Sequence, residues 1–237
     1  MTMSNQKLWL LLGFIALNIF GLTFWQVAQL LPPPSPSETA QEIAAFYQVN
    51  KNGIRAGISI CLFVSVFFYP IYVVIFAQMR RIEKANGLPP VNSVIQLFSG
   101  VVAYILAFVF PFILWGVVSF RPDRMPDLML LFSDMGWIMA SMLIFPFFLQ
   151  ALAITFLTFA DKKENPLFPR WLGWFGIWVM LGNLPGTVVL FFKTGPFAYN
   201  GFFAFWIPFI VACIFFLVMF WVLLKAINNE SYDDSTI

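Results

Sequence analysis

The chain has 237 residues, 61% of them hydrophobic, 19% aromatic and only 10% charged, and its mean hydropathy of +0.85 is more than one soluble core can hide, so lipid must be its solvent. A formal charge of +2 shows no excess aimed at nucleic acid. The chain has no histidine, and so lacks the commonest metal ligand, the usual catalytic base and the usual haem ligand; no metal and no cofactor is expected.

A bilayer core of about 30 Å takes roughly 20 apolar residues as helix. Six stretches meet that length, at 8–31, 54–77, 91–120, 128–160, 171–192 and 201–224. Each is apolar on every face, unlike the alternating segments of a membrane barrel. The expected fold is therefore all-α: one polytopic membrane helix bundle of six transmembrane helices over residues 1–237, with 225–237 as a flexible tail. Met1 to Lys7 resembles the basic start of a signal peptide, but the apolar run after it is too long and no small-x-small cleavage site follows, so the segment reads as a retained helix.

Between the first two spans, Ser35, Pro36 and Glu38 form a capping-box start, and Ala40, Ile43, Ala44 and Tyr47 then recur at helical spacing. This predicts a short amphipathic helix on the outer interface, either capping the bundle or covering a ligand entrance. The second loop, Arg80 to Asn92, carries Arg80, Arg81, Glu83 and Lys84 and ends on Pro89 and Pro90, as a topology anchor; Asp161 to Arg170 plays the same part. Spans two to six each hold an interior proline, Pro70, Pro111, Pro146, Pro185 and Pro208, and several kinked helices are expected. The tail after Lys225, with Glu230, Asp233 and Asp234, is expected to be disordered.

Alternating the spans places eight basic residues on the side of the termini (Lys7, Arg80, Arg81, Lys84, Lys162, Lys163, Arg170 and Lys225) and five opposite (Lys51, Arg55, Arg121, Arg124 and Lys193). Both termini are therefore expected in the cytoplasm, in a bacterial inner membrane. Indoles favour the interface, and Trp9, Trp171, Trp174 and Trp221 would form the inner belt, with Trp25, Trp115, Trp137 and Trp206 the outer.

Asp134 is the only carboxylate in a predicted span. It is read either as an N-terminal cap at the outer interface or as a buried acid paired with Arg55, Arg121 or Arg124 that holds a ligand. The turn around Arg121, Asp123, Arg124 and Asp127 suits both flanking helix dipoles, or clamps an anion. The loop from Lys193 to Gly201, with Asn200, reads as helix stop and restart, or as the mouth of a cavity with Lys193 beside Phe197 and Tyr199. Gly182, Asn183, Leu184, Pro185, Gly186 and Thr187 form the most site-like stretch inside the membrane, where proline frees the carbonyl of Leu181; close packing against a neighbour explains the same residues. Asn18, Gln26, Gln96 and Gln150 read as interhelical glue, and Cys61 and Cys213 as apolar packers.

The run from Phe120 to Arg124, the run from Phe192 to Gly201 and the Ile54-Arg55 pair resemble those of a family of uncharacterised bacterial multi-pass membrane proteins. The resemblance covers nearly the whole chain and implies no catalytic residue. Three readings follow from the sequence. The first is a non-enzymatic permease-like or binding protein with a Phe-lined cavity for a hydrophobic or amphipathic small molecule, whose polar end meets Arg55, Arg121, Asp134 and Lys193. The second is an accessory subunit that scaffolds a larger membrane complex. The third is a membrane enzyme using Asp134 with an arginine on a lipid-like substrate. Beyond the bilayer, the expected partners are that small molecule or other membrane subunits, and not nucleic acid.

Overall fold

The computed structural model describes residues 3–142 and 145–229, and among these the chain is all-helical. Six helical spans are long and apolar enough to cross a membrane. The first is α1 (Met3–Leu22), which runs on through a π-helical turn, Thr23–Val27. It stops short of the predicted Leu31 because Gln29 takes a left-handed backbone (φ +54°), with Ala28 N–H donating to Thr23 O and Leu30 N–H to Phe24 O.

The predicted short helix is α2 (Ala40–Val49), and its Ala40, Ile43, Ala44 and Tyr47 are buried. Its cap is Thr39 rather than Ser35. The Thr39 hydroxyl oxygen accepts from Glu42 N–H, and the Glu42 carboxylate accepts from Thr39 N–H at 2.7 Å. Those donors hold the Glu42 carboxyl below its ordinary range, so this contribution is complete above that range and is lost as pH falls through the lowered value. Ser35 and Glu38 make a turn instead, with Ser35 N–H donating to Glu38 Oε1 at 2.9 Å.

The second span, Lys51–Ala85, joins α3 (Lys51–Ser65) to α4 (Tyr69–Ala85) through a 3-10 turn, Val66–Phe68. The charged stretch assigned to a loop continues this helix because Arg80, Arg81 and Glu83 find partners. Arg81 donates to Gln78 Oε1 at 2.7 Å and to the carbonyls of Ala226 and Asn229, which closes the end of the sixth span. Glu83 is fully buried, pairs with Arg80 at 2.9 Å, and accepts from the N–H and hydroxyl of Ser93 at 3.0 and 2.6 Å. It thereby caps α5 (Val91–Tyr104), the helix that follows it. Buried Asp161 accepts from Asn86 Nδ2 and Leu167 N–H nearby. These contacts, with Gln78 donating to Gln6, gather the polar groups at the end of the bundle that carries the described ends of the chain.

The third span continues from α5 through a π turn, Ile105–Val109, into α6 (Phe110–Phe120). The fourth, Pro126–Ala160, comprises α7 (Pro126–Met142) and α8 (Phe145–Ala160). The fifth is α9 (Arg170–Asn183) followed by 3-10 helix, Leu184–Phe191, and the sixth is a π turn, Phe202–Trp206, followed by α10 (Ile207–Asn228). Helix thus extends into the expected tail as far as Asn228, while Glu230, Asp233 and Asp234 lie outside the described residues. An irregular turn directly precedes Pro70, Pro111 and Pro208, and Pro185 sits inside the 3-10 run. The missing proline N–H and the clash of its ring with the carbonyl four residues back are relieved by changing the helical register at that point.

Replacing Glu83 by Ala leaves Ser93 N–H and the Ser93 hydroxyl without their acceptor in a buried position. A loss of about 1–3 kcal/mol follows from one such unmade bond. In detergent, Glu83→Ala should melt well below wild type and Glu83→Gln between the two; an unchanged melting point for Glu83→Ala would refute the capping role.

Candidate functional site

The middle of the bundle holds a partly open cavity of about 130 Å³. Its walls are Phe20 and Phe24 from the first span, Tyr72 from the second, and Ala103, Tyr104, Ala107, Phe108, Phe112 and Trp115 from the third. Trp137, Ala140, Ser141 and Phe147 come from the fourth, and Ala204, Phe205, Pro208, Phe209, Ala212 and Phe216 from the sixth. The space exists because Ala103 and Ala107 on one helix, and Ala204, Pro208 and Ala212 on another, repeat small side chains every four residues opposite large rings. All three π turns contribute to the wall, through Phe24, through Ala107 and Phe108, and through Ala204 and Phe205. A π turn is a costly irregularity that recurs at functional sites.

The rings are packed edge to face and tilted. Phe20 lies 5.1 Å from Phe112, Trp115 lies 4.3 Å from Trp137, and Trp137 lies 6.0 Å from Phe205. Among the polar lining groups, Tyr104 shares a hydrogen bond of 2.6 Å with Ser65. The indole nitrogens of Trp115 and Trp137 and the hydroxyl of Ser141 are buried with no hydrogen-bond partner among the described residues. The sequence places Trp115 and Trp137 in an interfacial belt, but each is only 1% exposed, because the third and fourth spans are long enough to carry both inside the bundle. Trp25, Trp171, Trp174 and Trp221 remain exposed.

Toward the end of the bundle opposite the chain's described ends, Tyr199 stacks on Trp137 with ring centroids 6.2 Å apart and donates to Asp134 Oδ1 at 3.0 Å. Tyr47 of α2 donates to Ser133 on the same helix at 3.2 Å. Asp134 lies more than two turns inside α7, so it is not an N-terminal cap. Its hydrogen-bond partner is Tyr199, and among the described residues no ion pair joins it to Arg55, Arg121 or Arg124. Exposed Lys193 is near enough to act on it electrostatically. Burial, and then the Asp134 charge, hold the Tyr199 phenol well above the ordinary tyrosine range, so it stays a proton donor.

Among the other sequence candidates, Arg55, Arg124 and Asn183 serve the backbone. Arg55 Nε and Nη2 donate to Ser119 O at 2.9 and 2.7 Å, and Nη2 also donates to Phe120 O at 3.1 Å, closing the end of α6. Arg124 Nη1 donates to Val117 O at 3.3 Å, and the Arg121 guanidinium sits 6.0 Å from the Phe120 ring. Asn183 Nδ2 donates back to Val179 O at 2.7 Å, while its Oδ1 is buried without a partner. The Leu181 carbonyl is taken up again by Leu184 N–H. Gly186 packs so tightly that a Cβ there would lie 2.5 Å from Ser141 O, so the 182–187 stretch joins helices. Asn200 is half-buried in the loop that carries Tyr199. None of these charged or amide candidates lines the cavity.

The fold and its aromatic-rich interior make this a multi-pass membrane protein. No family model, no curated protein and no solved structure matches the chain. The motif resemblance of the sequence thus adds nothing about activity. Among the described residues no three Asp, Glu or Cys side chains lie together as a metal site would require.

Tyr199→Phe keeps the ring on Trp137 and removes the donor to Asp134, so its melting point at pH 7 should fall. Because the native phenol titrates above its ordinary value of 10.0, the neutral group contributes stability below that pH and loses it as pH rises further. The gap between wild type and Tyr199→Phe should therefore narrow above pH 10; a constant gap would show that Tyr199 is not the group responsible.

Proposed function

We propose that the protein is a non-enzymatic binding or permease-like protein, and that the central cavity receives a hydrophobic or amphipathic small molecule. The observation that carries this reading is the cavity itself, a space of about 130 Å³ at mid-bundle walled almost wholly by aromatic and small side chains. An apolar cavity of roughly 150 Å³ is enough for one benzene ring. Half-buried Ala107, Phe108, Phe209 and Ala212 line it at mid-span, where the surroundings are lipid, so the guest arrives from the bilayer. In this reading the chain sits in a bacterial inner membrane with both termini cytoplasmic, α2 lies as an amphipathic helix on the outer interface, and the helices are kinked at their prolines.

A second reading, an accessory subunit of a larger complex, is supported by the fifth span, whose Trp174, Trp178 and Phe191 are all strongly exposed. Pull-down in mild detergent separates it, since a stoichiometric partner held by that face would be lost on Trp178→Ala.

Ethylbenzene should raise the melting temperature of the purified protein in a concentration-dependent way, because a ligand that binds only the folded state stabilises it by mass action. Ala107→Phe or Ala212→Leu, which fill the space, should abolish the shift while the unliganded variants remain folded. No shift in wild type, or an equal shift in both variants, would remove the cavity as the binding site. Single cysteines at Arg124 and Gly195, in a background without Cys61 and Cys213, should react with impermeant maleimide from the periplasmic side; labelling only from the cytoplasm would reverse the orientation.

A further inference from the structure

The fifth and sixth spans pack against each other from Trp171 and Trp221, whose ring centroids lie 5.9 Å apart, to Gly182, where a Cβ would lie 3.0 Å from Val211. The stretch of α9 from Trp171 to Gly182 covers about 16 Å at 1.5 Å per residue, which is one leaflet of a bilayer core of about 30 Å. Trp171 and Trp221 each begin an apolar column on the outer face of this seam. Trp174, Trp178 and Leu181 follow Trp171 at spacings of three and four residues, and all are exposed, Trp178 most of all at 70%. Leu217 and Ile214 follow Trp221 in the same way and are exposed too.

The end of the seam at the membrane surface is basic. Lys225 follows Trp221 by one turn, and its Nζ lies 3.6 Å from the centre of the Trp221 ring, a cation held over a π face. Arg170 is the first residue of α9, next to Trp171. Both bases are exposed, and among the described residues neither has a carboxylate within ion-pair distance, exposed Glu164 of the preceding loop included. Capping does not account for Lys225, because the carbonyls of Ala226 and Asn229 at the end of α10 already accept from Arg81. Nor does an interfacial belt account for Trp178, which lies about 10 Å deeper along α9 than Trp171.

We propose that this seam holds one anionic phospholipid of the leaflet nearest the described ends of the chain. Its headgroup phosphate sits between Arg170 and Lys225, and its acyl chains lie along the two apolar columns. Charge selects the headgroup: two unpaired cations at the membrane surface favour a lipid of net negative charge over a zwitterionic one, whose ammonium would meet the same cations. The indole N–H groups of Trp171 and Trp221 add donors for phosphate or ester oxygens at that depth. The columns select a lipid over a free anion, which would use the basic end alone. None of these residues lines the mid-bundle cavity, so the site is independent of the guest proposed there.

The test is native mass spectrometry of the full chain, released from detergent containing dioleoylphosphatidylglycerol and dioleoylphosphatidylcholine at equal concentration. Wild type should retain one phosphatidylglycerol in preference to phosphatidylcholine by more than about tenfold, and Arg170→Gln and Lys225→Gln should each lower that preference about fivefold, the effect of one basic side chain at an anionic surface. Lys225→Arg should keep most of it, and either glutamine variant suffices if the other does not fold. Lys162→Gln removes the same charge from a loop anchored to Asn86 at the end of α4, and should leave the preference within about twofold. Inorganic phosphate in excess should not displace the lipid. Equal retention of the two lipids by wild type would overturn the proposal. A loss with Lys162→Gln as large as with Lys225→Gln would also overturn it, in favour of a diffuse surface potential. Displacement by phosphate would give the basic end to a free anion, and a second polypeptide retained in place of lipid would give the face to a partner subunit; either outcome overturns the lipid site.

Discussion

No water is at hand in the middle of a bilayer, so every helix end and every gap in a helix must find its hydrogen-bond partner within the protein. That constraint organises this chain more than charge or motif does. Arg55 closes the end of α6 and Arg81 the end of α10, at opposite ends of the bundle, each by donating to two carbonyls of a distant helix. Glu83 supplies from inside the protein the acceptor that the start of α5 needs. Around Pro185, the 3-10 turn lets Leu184 N–H reach the Leu181 carbonyl that a regular helix would leave open.

Against that background the exceptions carry information. Among the described residues, the buried side-chain atoms without partners belong to Gln96, Gln150, Asn183, Trp115, Trp137 and Ser141. The two glutamines and the asparagine sit at helix seams; Gln150, for example, lies against Gly100, whose Cβ would be 2.9 Å from its Nε2. The other three belong to residues that line the mid-bundle hollow. The same hollow collects all three π turns described.

Much of the architecture was legible in the sequence, because twenty apolar residues in a row admit few alternatives to a membrane helix. Helix ends were less so. Hydropathy falls at Arg80, yet α4 continues to Ala85, since its charges find partners on the sixth span and on α5. Ser35 with Glu38 reads as a capping box, but it is Thr39 with Glu42 that opens onto a buried helical face. The contacts of Arg55 and Arg124 were hidden for a related reason: a helix end whose carbonyls lack donors has no sequence signature, whereas an arginine is conspicuous. The small-residue spacing of Ala103 and Ala107, and of Ala204, Pro208 and Ala212, was visible all along. What it lacked was the knowledge that the third and sixth spans face a common space.

The contact between Tyr47 and Ser133 joins positions 86 residues apart in the chain. It anchors a short helix between the first two spans to the upper part of α7, one turn above the indole of Trp137 and two above Ser141. Tyr47 thus ties α2 to the same helix that contributes Trp137 and Ser141 to the lining of the hollow, so one rod joins a connecting segment of the chain to the middle of the bundle.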